Sequence, residues 1–350
     1  MLIVGIGGGN NNTTSVTKYG TITIPTIAIP AIDLDNGMEK AKKSLDRSLQ
    51  VEIEGVGNYF VGDFAKDTLG TIPTRLLGAR KLGDDELKIV MLTNIAMQVI
   101  GKGMSRAEIK MVTGLPFAHY RQDKEKYASQ FLGNHELRVN GIKVSLQVSD
   151  CHVEVEGALK ELLSAGEKYI YPDAELEERY VLGVSIGEGD TSWVGIGFDK
   201  DINPSYEHGL CWNFDKGIGW AKQKVIDAVR KEGTKIDRFD IDRAMARTHR
   251  KGEIDLKSGK TYNIIPTYGN ALYGLYKEIL GDMNDHLEDS GHKGRIRATF
   301  LYGGGSEFIC NLIARELHGI IGGDVLLSRN PKTIIEEWYF EKAKLLYGEV

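Results

Sequence analysis

Three glycine loops, widely spaced along the chain, constrain its fold more than any other feature. Ala298 to Tyr302 is a short apolar run rich in strand formers. Gly303, Gly304 and Gly305 follow, then Ser306 and Glu307, then apolar residues at helical spacing (Phe308, Ile309, Leu312, Ile313). That order predicts strand, tight turn, helix. Glycine lets backbone approach a flat or charged ligand closely, and the N–H groups opening a helix favour phosphate. In chain order this is the third loop, and the first is at the start of the chain. Leu2 to Ile6 reads as a buried strand, Gly7 to Asn12 as a polar turn, Thr13 to Tyr19 as a return strand and Thr21 to Ile29 as a third. The second loop repeats the pattern near mid-chain, with a strand at Tyr180 to Ile186, a turn at Gly187 to Asp190 and a Thr/Ser-rich return at Thr191 to Ile196. A Rossmann or Walker loop would lead straight into a helix, and these two lead into strands.

At 350 residues the chain is too long for one small core, so two domains are expected. The net charge of -5 gives no support for a broad basic face that grips nucleic acid directly. Cys151, Cys211 and Cys310 lie far apart without CxxC spacing, which argues against a zinc site or a disulfide framework and fits a reducing cytoplasmic compartment. No apolar run approaches membrane-spanning length, and no basic segment precedes the first strand, so neither a membrane anchor nor a signal peptide is expected. The histidines show no ligand spacing and read as structural or surface residues.

Between the loops, strands are expected at Val51 to Glu54 and Asn58 to Gly62, and a long amphipathic helix from Asp84 to Gly101. Lys110 to Phe117 reads as a strand entering a Gly/Pro turn, and Asp123 to Phe131 as a helix. Asn140-Gly141 is a hairpin dipeptide joining two strands within Glu136 to Val148. Further helices are expected at Glu156 to Ala165, Gly217 to Lys231, Asp240 to His249, Ala271 to Glu288 and Pro331 to Leu346. The basic run of Arg243, Arg247, Arg250 and Lys251 reads as a solvated helix face, or more sharply as a contact between protomers. A domain boundary is expected near Asp173 to Glu178.

Several strings carry a family resemblance. Val112 to Phe117 resembles the "TGLP" turn of plasmid-segregation actins of the ParM type. Tyr59 to Ala65 resembles their "Y-x-V-G-E-x-A" segment, and Leu301 to Glu307 resembles their adenosine loop, "GGGA-E". In order and spacing over nearly the whole chain they resemble the actin-like ATPase superfamily. The resemblance implies an α/β, actin-like (ribonuclease H-like) fold of two domains with a nucleotide cleft between them. Domain I would hold residues 1–176 and 329–350, and domain II residues 177–328. It implies ATP or GTP with Mg2+ as cofactors. The phosphates would be held by Gly8, Gly9, Asn10, Asn11 and Asn12 from the first turn, and by Gly187, Glu188, Gly189, Asp190 and Thr191 from the second. Lys216 would stand near the ribose or base, and Gly303, Gly304, Gly305 and Ser306 would cover the adenosine. Backbone N–H groups of such turns can surround oxyanions without a helix dipole.

The chain also departs from the pattern. The first turn of the family carries an aspartate, "I-D-x-G", where this chain has Gly7 after Ile6. The second turn, "D-I-G-x-G-T-T-D/E", here reads Ser185 to Ser192, with Ser185 in place of the leading aspartate and Ser192 in place of the closing acid. Those aspartates ordinarily serve magnesium, which one or two carboxylates anchor while it keeps several waters. Glu188 and Asp190 are left as the acids of these turns, either on the metal side (Asp190 above all) or as exposed turn acids. A relocated anchor and a weakened hydrolysis are both open. The catalytic candidate is Glu156, in Val153 to Ala158, which loosely matches the "P-E-G/S-x-A" turn whose glutamate polarises the attacking water. Glu154 is its competitor.

The resemblance implies a cytoplasmic homopolymer filament that assembles with ATP and turns over on hydrolysis. It would segregate plasmid DNA through a DNA-binding adaptor of the ParR type, without touching nucleic acid or membrane itself. Two other functions are open. A small-molecule kinase of the same fold would need a base in the first domain, for which Asp150 is the available residue. A polymer scaffold would not hydrolyse at all.

Overall fold

The structure, a computed structural model, describes residues 1–31, 48–68, 81–157, 179–198, 204–321 and 323–348. The described residues fall into two compact units. The first comprises residues 1–31, 48–68, 81–156 and 335–348, and the second residues 157, 179–198, 204–321 and 323–334.

Unit 1 is built on a mixed sheet. Its strands are β1 (Leu2–Gly8), β2 (Asn12–Thr17), β3 (Gly20–Pro25), β4 (Ala28–Pro30), β5 (Ser48–Ile53), β6 (Gly57–Gly62), β7 (Arg106–Leu115), β8 (Gly133–Val139) and β9 (Ile142–Val155). Across the sheet they lie in the order β3-β2-β1-β7-β9-β8-β5-β6-β4. β1, β7 and β9 pair in parallel, so the ends of all three at Gly8, Leu115 and Val155 share one edge. The third strand expected over Thr21 to Ile29 is broken in two. Thr26 leaves the ladder there to bond back to the first glycine turn, its N–H reaching Asn11 O at 3.0 Å and its hydroxyl Gly9 O at 2.7 Å.

Unit 1 carries helices α1 (Asp63–Thr68), α2 (Asp85–Ile100) and α3 (Phe117–Ser129). Asp84 caps α2, its carboxylate accepting the Leu87 N–H at 2.9 Å. Strand alternation puts Leu2, Val4 and Ile6 in one core with Leu87, Val90 and Met91 of α2. The hydroxyl-rich return strand is explained from the same helix. Asn94 and Gln98, one turn apart on α2, are buried against β2. The Asn94 amide donates to Thr13 O at 2.9 Å, and that of Gln98 to Ser15 Oγ at 3.0 Å. A buried, satisfied network of this kind fixes strand register.

Unit 2 repeats the plan with β10 (Tyr180–Ile186), β11 (Thr191–Phe198), β12 (Pro204–Tyr206), β13 (Trp212–Phe214), β16 (Ile296–Tyr302) and β17 (Asp324–Leu327). The sheet runs β12-β11-β10-β16-β17, with β13 also on β11, and β10, β16 and β17 are parallel. A small hairpin, β14 (Glu253–Asp255) with β15 (Thr261–Asn263), stands apart. The helices are α4 (Ile218–Lys231), α5 (Arg238–Ala246), α6 (Ile265–Asp289) and α7 (Ser306–Ile321). The last helix, α8 (Ile334–Tyr347), returns the chain to unit 1 from residue 335 on.

The helix expected over Asp240 to His249 ends at Ala246, so the basic run is not one helical face. Arg250 lies beyond it with φ of 55° and pairs with Glu253 and Asp255, each at 2.6 Å. The helix expected from Glu156 to Ala165 lies outside the described residues beyond Gly157, as does the boundary expected near Asp173 to Glu178.

Candidate functional site

The carboxyl ends of parallel strands are where open α/β sheets take ligands, because chain reversals and helix starts gather there. In unit 1 that edge carries the first glycine turn, Glu156 and part of α8. The turn is pinned by its own backbone, Gly9 N–H donating to Asn12 O at 3.0 Å. Gly8 is needed for packing, since a Cβ there would press on Leu87 and Met91 of α2. Asn11 Oδ1 is buried with no hydrogen-bond partner among the described residues. An orphaned amide end in a turn whose backbone is already pinned suits a polar ligand.

Glu156 follows β9 directly, its N–H bonded to Leu115 O at 2.8 Å. Its carboxylate pairs with Lys81 Nζ at 2.7 Å. Glu154 is committed elsewhere, 2.8 Å from His152 Nε2 and 3.2 Å from Lys342 Nζ of α8. Burial alone would raise the Glu154 pKa, but His152 and Lys342 outweigh it and hold the carboxyl below the ordinary range. Of the two competitors, only Glu156 therefore stands at the strand end with a single cation to position it.

Sequence reasoning missed the other half of this corner. α8 lies against the second face of β1, where Gly5 and Gly7 leave room for it. A Cβ on Gly5 would lie 2.6 Å from Glu336 O and 2.7 Å from Phe340 Cα. A Cβ on Gly7 would overlap the Glu336 carboxylate itself. A Cβ on Gly114 of β7 would likewise overlap the Tyr339 hydroxyl. Burial, with the Glu156 carboxylate nearby, pushes Glu336 up to about 8, while Lys81 works in the opposite direction. No local signal marks Glu336. The hint was indirect, a glycine where a carboxylate was expected and an acidic first turn on the last helix.

In unit 2 the second and third glycine loops come together with the start of α4. Gly187 N–H donates to Asp190 O at 2.9 Å and closes the second turn. The first N–H groups of α4 are taken by that turn, Ile218 on Gly187 O at 3.0 Å and Gly219 on Glu188 O at 2.7 Å. Gly217 is required there, because a Cβ would lie 2.8 Å from Glu188 O and 2.9 Å from Asp190 N. In the third loop Gly303 has φ of 88° and faces Ile186 O, while Gly305 N–H donates to Ile186 O at 2.8 Å. Ser306 is buried, its hydroxyl on Gly303 O at 2.8 Å. Gly304 is exposed, and no described atom lies within 4 Å of where its Cβ would be. Of the three glycines it is the one open to a ligand.

The polar side chains of these loops have definite partners. The Thr191 hydroxyl donates to Lys216 O at 2.9 Å, and Asn213 Nδ2 donates to Asp190 Oδ2 at 3.2 Å. Lys216 Nζ pairs with Glu278 of α6 and lies 5.4 Å from the Trp220 ring centroid. Glu188 is not an exposed turn acid. It lies in the interior with only 7% of its side chain accessible, 2.9 Å from Lys222 Nζ of α4. Lys222 also reaches Asp242 of α5 at 2.8 Å. Glu188 Oε1 is buried with no partner among the described residues. Asp150, the base a kinase would need, is exposed within β9 and pairs in register with Lys110, away from the strand end. Among the described residues, no three His, Cys, Asp or Glu side chains gather into a metal site, and no helix is long and apolar enough to cross a membrane.

Comparison with known proteins agrees with this architecture. Residues 5–158 match the family model for the N-terminal domain of actin-like proteins. A search of curated proteins found no sequence match. Among solved structures, a ParM filament from Clostridium botulinum is similar with a TM-score of 0.76 and 16% identity, over 98% of this chain and 99% of that one. Ta0583, an archaeal actin homolog in complex with ADP, gives 0.71 and 17%, over 99% and 100%. Bacillus thuringiensis ParM with ATP gives 0.65 and 16%, over 99% of each chain. The chain has the actin-like α/β fold, and its residues 5–158 match the N-terminal domain of actin-like proteins.

Proposed function

We propose that this chain is a cytoplasmic, nucleotide-binding actin-like protein that polymerises with ATP or GTP and segregates plasmid DNA, with hydrolysis controlling polymer turnover. The observation that supports it most is the placement of the loops. In each unit a glycine turn closes the carboxyl end of a strand paired in parallel with its neighbour, where such sheets take ligands. The relatives add to this, since one is a filament and two others hold ADP or ATP.

The phosphate oxygens would be taken by backbone N–H groups of residues 8–12 and 187–191 other than those of Gly9 and Gly187, which close the two turns. Lys216 and Gly303 to Ser306, with Gly304 outermost, would meet the nucleoside. Glu156, oriented by Lys81, would accept a hydrogen bond from water and aim it at phosphorus. Magnesium, when bound, would neutralise charge on the phosphates. Its preference for oxygen donors fits a corner where a carboxylate fills the space of a residue-7 side chain. Asp190, oriented by Asn213, is the acid available to it in the second turn. The net charge of -5 favours attachment to DNA through a separate adaptor of the ParR type over direct contact.

Light scattering with ATP, with ADP and without nucleotide tests the proposal. A segregation actin assembles with the triphosphate and not without nucleotide. A non-hydrolysing scaffold assembles in every condition, and a kinase in none.

A further inference from the structure

Glu336 and Gly7 share one small volume, and that is the least expected feature of unit 1. β1 approaches α8 so closely that residue 5 must lack a side chain, because backbone faces it. Residue 7 must lack one for a different reason, because the Glu336 carboxylate is already there. The surroundings are built for a polar function. The Glu156 carboxylate is near enough to act on Glu336 electrostatically, and the ammonium of Lys81 is engaged with Glu156 at 2.7 Å. The Tyr339 hydroxyl, buried and with no hydrogen-bond partner among the described residues, lies over Gly114 within electrostatic range of both glutamates. Two carboxyl groups and an orphaned hydroxyl on the ligand-bearing edge of a parallel sheet form an oxygen-rich corner in which the one lysine, Lys81, is already engaged with Glu156.

We propose that Glu336 supplies, from the last helix, the carboxylate that β1 itself lacks at residue 7, and that it anchors the divalent cation accompanying a bound nucleoside triphosphate. The inference rests on the nucleotide reading above. The missing aspartate then marks a relocated anchor, not a lost one. A hard divalent cation bound with a nucleotide needs only one or two protein carboxylates, because phosphates and water complete its shell. Restoring aspartate at residue 7 alone would therefore not repair the turn. It would force two carboxylates into one place.

The test uses the full-length chain and a fluorescent ATP analogue, titrated with magnesium in excess and again in EDTA. The wild type should bind more tightly with magnesium. Glu336→Gln, which keeps the side-chain volume, should reduce that magnesium-dependent gain on the order of tenfold or more. Gly7→Asp alone should also reduce it, and Gly7→Asp/Glu336→Ala should regain it. Thermal melts of each variant establish that it is folded. A magnesium gain unchanged in Glu336→Gln, or absent from a wild type that binds the analogue, would overturn the inference and leave nucleotide binding standing. A folded double variant that regains nothing would overturn the equivalence of the two positions. A wild type that binds no analogue in either condition would remove the nucleotide reading and the inference together.

Discussion

The carboxylate of Glu336 occupies the volume that a side chain on Gly7 would need, although the two residues belong to opposite ends of the chain. The pair couples the first strand to the last helix. Gly7→Ala should destabilise the protein by about 1–3 kcal/mol, because the glutamate must shift from a tight site. The same change made in a Glu336→Ala background should cost almost nothing. Denaturant unfolding of the four proteins in a double-mutant cycle measures the difference.

Gly5 meets backbone, and backbone cannot move aside. A methyl group there would lie 2.6 Å from Glu336 O and 2.7 Å from Phe340 Cα. Gly5→Ala should therefore cost more than Gly7→Ala, about 3 kcal/mol or above, and Glu336→Ala should not relieve it. Urea midpoints of the two alanine variants, compared at equal slope, read this directly.

Lys222 is 2% exposed and holds both Glu188 and Asp242. Removing it strands a carboxylate inside unit 2. Lys222→Met should destabilise by about 3–5 kcal/mol, and adding Glu188→Gln should recover part of that loss. Chemical denaturation of the single and double variants provides the measurement.

Glu154 ties α8 to β9 through Lys342 and stands beside His152. Its folded-state pKa is lowered, the hydrogen bond from His152 and the charge of Lys342 outweighing burial. An acid lowered in the folded state stabilises it above the ordinary carboxylate range. That stability is lost as pH falls through the folded value, because the unfolded chain takes up the proton first. Glu154→Gln should lower stability at neutral pH by about 1–3 kcal/mol and flatten the acid limb of the stability profile. Unfolding free energies measured from neutral pH down to the acid transition check both effects.

The sequence made the local geometry legible and left the pairings hidden. The glycine turns, the strands before them and the long helices announce themselves through short-range periodicity. Asn140-Gly141 does so most plainly, since φ of 48° and 84° are what a two-residue hairpin loop demands. The actin-like fold was implied by a resemblance, carried by Tyr59 to Ala65, Val112 to Phe117 and Leu301 to Glu307 in that order. The relation of Glu336 to Gly7 could not be read, because nothing in either segment refers to the other. In the sequence Glu188 read either as a metal-side acid or as an exposed turn acid, and its buried pairing with Lys222 was not foreseen. The available clue was Lys222, a lysine on the face of α4 that also carries Ile218, Ala221 and Val225, where only a paired charge is tolerated. Within the third loop the sequence showed three equal glycines. Only the backbone reveals that Gly303 and Gly305 serve packing and that Gly304 stands open.

That openness permits a decisive titration of ATP into the wild type and into Gly304→Val, in the presence of magnesium. A Cβ there meets no described atom beyond its chain neighbours within 4 Å and the position is exposed, so the melting temperature should be nearly unchanged. If a nucleotide lies against this loop, the wild type binds one ATP per chain and Gly304→Val binds it at least tenfold more weakly, roughly 1.4 kcal/mol. Equal affinity in the two proteins, or no saturable binding by the wild type, would contradict a nucleotide site built on these turns.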